Sequence, residues 1–215
     1  SDWSSDVCSS DLSPLHNYHP APYLTSAHNA YQTPLGAIPV DQQSISELDE
    51  ALEADNGLPL VKIAHDKEHS LEIELPFLQC ALQKPFALLP VMIRHQTTEI
   101  AQRLGKALAK VLKSRNFLLV ASTDLSHFYP ENQADLLDQE MLRQIASFNP
   151  DAVIETELRG KGFACGIAAV ASMLWAARQL GGTSIQLLHH STSGEETGDF
   201  SSVVGYGAAV VLKAP

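Results

Sequence analysis

An α/β fold, a single domain with a central mostly parallel or mixed sheet flanked by helices, is what this 215-residue sequence predicts. Short apolar runs at 60–64, 86–93 and 116–123 read as buried strands. The segments between and after them place apolar residues at steps of three and four, the spacing of a helix that buries one face. Strand and helix also take turns along the chain, which is the rhythm of helical crossovers.

The length suits one core. Hydrophobic residues make up 45% and charged residues 18%, ordinary for a globular protein, and no apolar run approaches the ~20 residues that span a membrane. A net charge of −11, with only 14 Lys and Arg and no evident basic patch, argues against nucleic-acid binding. The three cysteines, Cys8, Cys80 and Cys165, contain no CxxC pair, so neither a zinc ribbon nor a disulfide framework is indicated. A reducing cytoplasm is the simpler expectation.

Residues 1–12, SDWSSDVCSSDL, crowd Ser and Asp together and show neither a strand nor a helix period. They are expected to be a non-native segment resembling a translated sequencing adaptor, with the domain proper at 13–215. Residues 13–40 hold three His, several Pro and a Thr33-Pro34-Leu35-Gly36 turn, and read as loop, short strand, turn, short strand. Asp41 then precedes a helix with Ile45, Leu48 and Leu52 on one face, closed by Asn56-Gly57. After the strand at 60–64, a second helix is expected from Asp66, with Leu71, Leu75, Leu78 and Leu82 as its stripe. Pro76 should kink it or start a new segment, because proline removes an amide donor.

Thr97 opens a third helix, with Ile100, Leu104, Leu108, Val111 and Leu112 on its apolar side. Further helices are expected at 133–148, 151–158 and 167–180, the last closed by Gly181-Gly182. A strand at 185–189, a long polar loop HSTSGEETGDF and a closing strand at 203–212 finish the chain.

The stretch that carries the most chemistry is NFLLVASTDLSHF at 116–128. Its apolar strand empties into Asp124 and His127, and strand ends in α/β sheets are where loops converge on ligands. Histidine exchanges protons near neutral pH, and Asp124 stands where it could orient His127 as an acid or base. Elsewhere His16, His69, Cys165, Glu68 and Glu72 are ligand types, yet none has the short spacing of an HExxH or a zinc finger. A site gathered from distant segments would suit iron, copper or zinc through thiolate and imidazole donors. Cys165 precedes a helix, whose N-terminus is expected to lower its thiol pKa; the plainer alternative is a small buried hydrophobe.

Several strings together resemble the Memo family, whose bacterial and archaeal members are called AmmeMemoRadiSam system protein B. They are DKEHSLEIELPFLQ at 66–79, SPLH at 13–16 followed by YQTPLG at 31–36, ASTDLSHF at 121–128, ACG at 164–166 and TSGEETGDFSSVVGYGAAVV at 192–211. The resemblance implies a fold similar to class III extradiol dioxygenases, with a metal-site cleft. It implies His16 and Cys165 as metal ligands, His127 with Asp124 as the acid/base pair, and His69 with Glu68 beside the ligands. The family's other metal histidine stands in a His-Ala-Gly-Tyr motif well upstream, and this sequence contains no such motif. The chain is therefore expected to lack an N-terminal strand or two and to carry an incomplete metal site. Radical SAM and companion proteins are the partners the family name implies, with a small molecule or peptide in the cleft. Two functions follow: metal-dependent redox or dioxygenase-like chemistry on a small molecule, or a non-catalytic scaffold that keeps the cleft to grip a peptide or partner.

Overall fold

The apolar runs become strands of one sheet, and the three- and four-spaced stripes become helices laid against it. The computed structural model describes residues 7–82 and 84–213. The first half of the chain holds β1 (Val7–Pro14), β2 (Tyr23–Ser26), β3 (Ala30–Thr33), β4 (Gly36–Pro39), α1 (Gln42–Asn56), β5 (Val61–Ile63), α2 (Leu75–Leu82) and β6 (Phe86–Ile93). Then come α3 (Thr98–Leu112), β7 (Asn116–Ala121), β8 (His127–Tyr129), α4 (Glu131–Ala146) and α5 (Pro150–Leu158). The chain continues through α6 (Ile167–Gln179), β9 (Ser184–Thr192), α7 (Ser193–Thr197) and β10 (Val203–Leu212).

Five strands form the central sheet in the order β5-β2-β6-β1-β7. Three of its four pairings are parallel, and only β2 with β6 is antiparallel. A second sheet, β8-β10-β9, is antiparallel, and β3-β4 is a separate hairpin. The molecule is thus a mixed α/β domain whose mostly parallel sheet is flanked by helices, in line with the sequence.

Local signals explain the helix boundaries. The Asp41 carboxylate accepts from the Ser44 amide and caps α1, while Gly57 closes it at φ 67°. Thr97 caps α3 by accepting from the Ile100 amide. The α3 stripe of Leu104, Leu108 and Leu112 is wholly buried, and α3 lies so close to α6 that a Cβ on Gly105 would fall 2.4 Å from Trp175 Cβ. That approach requires glycine on α3.

Three expectations are corrected. The helix expected from Asp66 begins only at Leu75, with Pro76 in its first turn where no amide bond is lost. The preceding residues instead turn around Glu68, whose carboxylate accepts from the amides of His69 and Ser70. Leu71 and Leu75 nevertheless stay buried together. The polar loop expected at His190–Phe200 contains the end of β9 and the short α7, and residues 127–129 form a strand that the sequence had not signalled.

The largest difference lies at Val7–Pro14. This patternless stretch is β1, between β6 and β7 and parallel to both; residues 1–6 of the suspect segment lie outside the described residues. Backbone pairing on two sides needs no side-chain pattern, and Cys8 and Leu12 join the main core. The side chains fit less well: Ser10 Oγ, Asp11 Oδ2 and Ser13 Oγ are buried with no hydrogen-bond partner. Burial, reinforced by the nearby Glu74, pushes the Asp11 carboxyl up from 3.8 to about 7.

A raised carboxyl pKa costs almost nothing well below the unfolded value of 3.8, where Asp11 is protonated folded or unfolded. As pH climbs toward 7 the unfolded chain ionises while the folded one resists, so stability falls by roughly 4 kcal/mol across that window. Asp11→Val should therefore raise the urea midpoint at pH 7, with the gain over wild type narrowing toward pH 4. A gain independent of pH would show that Asp11 ionisation is not the cause.

Candidate metal centre

The site is built where β7 runs out. Past Ala121 the chain turns through Ser122–Ser126 and re-enters pairing at β8, and three elements hold this turn. The start of α6 holds it first: Cys165 N donates to Asp124 O at 3.1 Å, Asp124 N donates to Cys165 Sγ at 3.2 Å, and Gly166 N donates to Thr123 Oγ1 at 2.9 Å. A Cβ on Gly166 would sit 2.2 Å from Ser122 O, so only glycine allows this approach.

β10 holds it second, through Leu125 N to Gly205 O at 2.9 Å and Gly205 N to Ser126 O at 2.8 Å. The third support is Asp138 of α4, fully buried, which accepts from Ser126 N at 2.9 Å and pairs with His190 Nε2 at 3.0 Å. A Cβ on Gly205 would overlap Asp138 Oδ2, so this glycine is fixed by the carboxylate it admits.

The turn so clamped brings Asp124, His127 and Cys165 together. One ligand-type atom from each lies within 4.8 Å of the others, and all three residues are half-buried. His127 Nε2 stands 3.6 Å from Asp124 Oδ2, an ion-pair distance if the ring is protonated and too long for a good hydrogen bond. Phe128 follows at φ 64°, strained for a bulky residue, and its exposed ring tilts against the His127 ring at 5.7 Å between centroids.

Burial raises the Cys165 thiol pKa, the Asp124 charge adds to it, and the Asp124 amide and Thr123 hydroxyl only partly offset both. The expected lowering by the helix N-terminus is thus reversed, because desolvation of a thiolate outweighs one helix end. Glu74, unremarked in the sequence, is also drawn in. Burial raises its pKa and the Asp124 charge adds to that, while a Ser122 hydrogen bond opposes them, and its Oε2 is buried without a partner. Two carboxyls that repel each other, Asp124 of them beside the thiol, form a site whose charge a cation would relieve.

His16 is held by Glu68. Its Nδ1 is 2.9 Å from Glu68 Oε2 and its amide donates to the same oxygen at 2.8 Å, while its ring remains half-exposed. Burial alone would raise the Glu68 pKa, but the Ser70 hydroxyl and the amides of His16, His69 and Ser70 together take it down to about 2. The His69 side chain is exposed. Among the described residues, neither His16, His69 nor Glu68 belongs to a group of three ligand atoms so close together. Gln96, also unremarked in the sequence, accepts from Ala168 N and donates to Cys165 O, fixing the backbone of the cysteine.

A family model described as Memo-like protein matches residues 11–210 of this chain. The chain belongs to the Memo family. A MEMO1 family protein of Nitrosopumilus maritimus is 34% identical over 186 residues, 86% of this chain and 66% of that protein. One from Methanosarcina barkeri is 34% identical over 92% of this chain and 73% of its own length, and one from Methanopyrus kandleri is 33% identical over 93% and 70%. The chain therefore spans roughly two thirds of the length of these Memo relatives. The uncharacterized Escherichia coli K12 protein JW3007 has a crystal structure with a TM-score of 0.58 to this fold, at 15% identity, over 96% of this chain and 86% of that one. At that identity the likeness concerns the fold alone. Among the described residues no helix is long and apolar enough to cross a membrane.

A raised pKa keeps Cys165 largely as the poorly nucleophilic thiol at neutral pH. Iodoacetamide at pH 7.5 should therefore modify it far more slowly than the exposed Cys80, and its rate should rise on going to pH 9, as read by peptide mass spectrometry. Cys165 reacting as fast as Cys80 at pH 7.5 would contradict the burial argument.

Proposed function

We propose that this Memo-family protein binds a divalent or redox-active metal ion, zinc, iron or copper, through Cys165, His127 and Asp124. The bound ion would serve chemistry on a small molecule. The observation that carries the reading is the convergence of one sulfur, one imidazole and one carboxylate within 4.8 Å. The donor set fits: sulfur and imidazole suit zinc, copper and iron, and three protein ligands leave a coordination position free, as catalytic sites do and structural ones do not. The Asp124 amide aimed at Cys165 Sγ supports the same reading, since it would stabilise the sulfur as a thiolate.

A bound ion of this kind supplies a Lewis-acidic position for a substrate oxygen. The chain's own groups then have distinct tasks. Cys165 gives up its proton on binding, so its raised pKa makes affinity climb with pH. Glu74, with a buried oxygen free, stands near Asp124 as a group able to hold a proton. The exposed Phe128 ring offers an apolar surface beside His127 for a ligand to rest on. Redox or dioxygenase-like turnover is the finer part of the proposal and rests on the family resemblance.

Calorimetric titration with Zn(II), Fe(II) and Cu(I) tests it. Wild type should bind one equivalent, Cys165→Ala should lose at least ~100-fold in affinity, and His16→Ala should lose less than ~10-fold. Equal affinity in Cys165→Ala and wild type would refute the ligand assignment. Oxygen uptake by the metal-loaded protein over a catechol panel separates turnover from binding alone: uptake above the metal-free rate supports dioxygenase-like chemistry, and its absence withdraws that finer part.

A further inference from the structure

Asp138 is wholly buried, yet its two oxygens serve two segments far apart in the chain. Oδ1 accepts from Ser126 N at 2.9 Å, one residue before His127, and Oδ2 stands 3.0 Å from His190 Nε2 on β9. With a carboxylate as acceptor, the His190 ring donates from Nε2. The Asp138 side chain has no exposed surface, whereas the His190 ring stays partly exposed. A line of hydrogen bonds thus runs from a ring near the surface, through a buried carboxylate, to the backbone of the turn that carries His127.

Two glycines of β10 make this line possible. Gly205 and Gly207, two apart, share one face of the strand, while Asp138 and Leu142, four apart, share one face of α4. A Cβ on Gly205 would overlap Asp138 Oδ2, and one on Gly207 would fall 2.8 Å from Leu142 Cδ2 and 3.1 Å from Leu125 Cδ1. α4 is therefore seated directly on the β10 backbone. Gly207 is also the residue that His190 faces across the ladder. With no side chain at Gly205 or Gly207, the ring on β9 reaches the carboxylate on α4. Ser126 Oγ, by contrast, is buried without a partner, so the turn is held by the Ser126 amide and not by its hydroxyl.

A buried carboxylate that loses a hydrogen-bond donor bears the full cost of an unsatisfied charge. Without His190, the Asp138 side chain is drawn toward another donor, and the Ser126 amide loses a fixed acceptor. We propose that His190 is a positioning residue for the metal centre: through Asp138 it fixes the Ser126 amide, and with it the aim of His127. The proposal rests on the metal-binding reading above, in which His127 is a ligand. It gives a task to a histidine outside the close group of three. The task is also specific, because Cys165 has its own supports in Gln96 and the Asp124 amide. Loss of His190 therefore falls on the imidazole donor and not on the sulfur.

Zinc affinity by calorimetry and residue-level amide exchange by NMR test it. His190→Leu removes the donor, as does His190→Ala should leucine disturb the sheet, and either should weaken zinc binding roughly tenfold. His190→Gln keeps an N–H donor and should bind within about threefold of wild type. His127→Ala combined with His190→Leu should bind no more weakly than His127→Ala alone, because a positioning residue has no effect once the residue it positions is gone. In metal-free protein the Ser126 amide should exchange roughly tenfold faster in His190→Leu than in wild type, with the fold intact by circular dichroism. His189→Gln, at the exposed neighbouring position, should change neither readout. The proposal is overturned if His190→Leu leaves the Ser126 amide as protected as in wild type, if His190→Gln binds zinc as weakly as His190→Leu, or if the His190→Leu effect adds in full to that of His127→Ala. Zinc failing to bind wild type would refute the metal centre alone, since Ser126 exchange still decides whether His190 holds the turn.

Discussion

The reciprocal pair between Asp124 and Cys165, each backbone amide serving the other residue, is the constraint on which the site depends. Cys165 N reaches Asp124 O, and Asp124 N reaches Cys165 Sγ. The pair sets the end of β7 against the start of α6, which is feasible only because Gly166 has no Cβ to strike Ser122 O. It also makes the sulfur an acceptor for a backbone donor before any ligand arrives. Buried polar groups that are mutually satisfied fix a geometry more firmly than they add stability. The second support, Asp138 against Ser126 N under Gly205, fixes the other end of the same turn, so His127 is aimed by a frame and not by its own packing.

Much of this was legible in the sequence, for reasons that can be named. The strands at β6 and β7 were continuous apolar runs, and the α1 and α3 boundaries carried their caps at Asp41 and Thr97, so local physics marked them. Asp124 and His127 were legible because an apolar run that stops at charged residues is a strand delivering groups to a rim. What was not legible is long-range. Gly205 and Asp138 fit each other although they stand 67 positions apart, and neither has a local pattern. Glu74 sat unremarked beside the stripe of Leu71, Leu75, Leu78 and Leu82 because its meaning depends on Ser122 and Asp124, which are distant in sequence. The thiol pKa was misjudged because a helix end can be read from sequence and depth of burial cannot.

β1 shows the same limit from the other side. No period marks Val7–Pro14, yet a strand flanked on both sides by parallel partners satisfies its backbone whatever its side chains are. The mismatch appears in the side chains instead, as orphaned Ser10, Asp11 and Ser13 atoms in the middle of the sheet. His16 follows just beyond this strand, and its position is set by Glu68, which takes both its amide and its ring. A histidine so engaged has one ring nitrogen left, and it is not one of the close group of three formed by Asp124, His127 and Cys165.

X-ray absorption at the zinc edge of the zinc-loaded protein tests the centre most directly, because it counts donor types around the ion. One sulfur at about 2.3 Å with nitrogen and oxygen neighbours at about 2.0–2.2 Å is the result expected of Cys165, His127 and Asp124. A shell of nitrogen and oxygen alone, with no sulfur, would contradict the Cys165 centre.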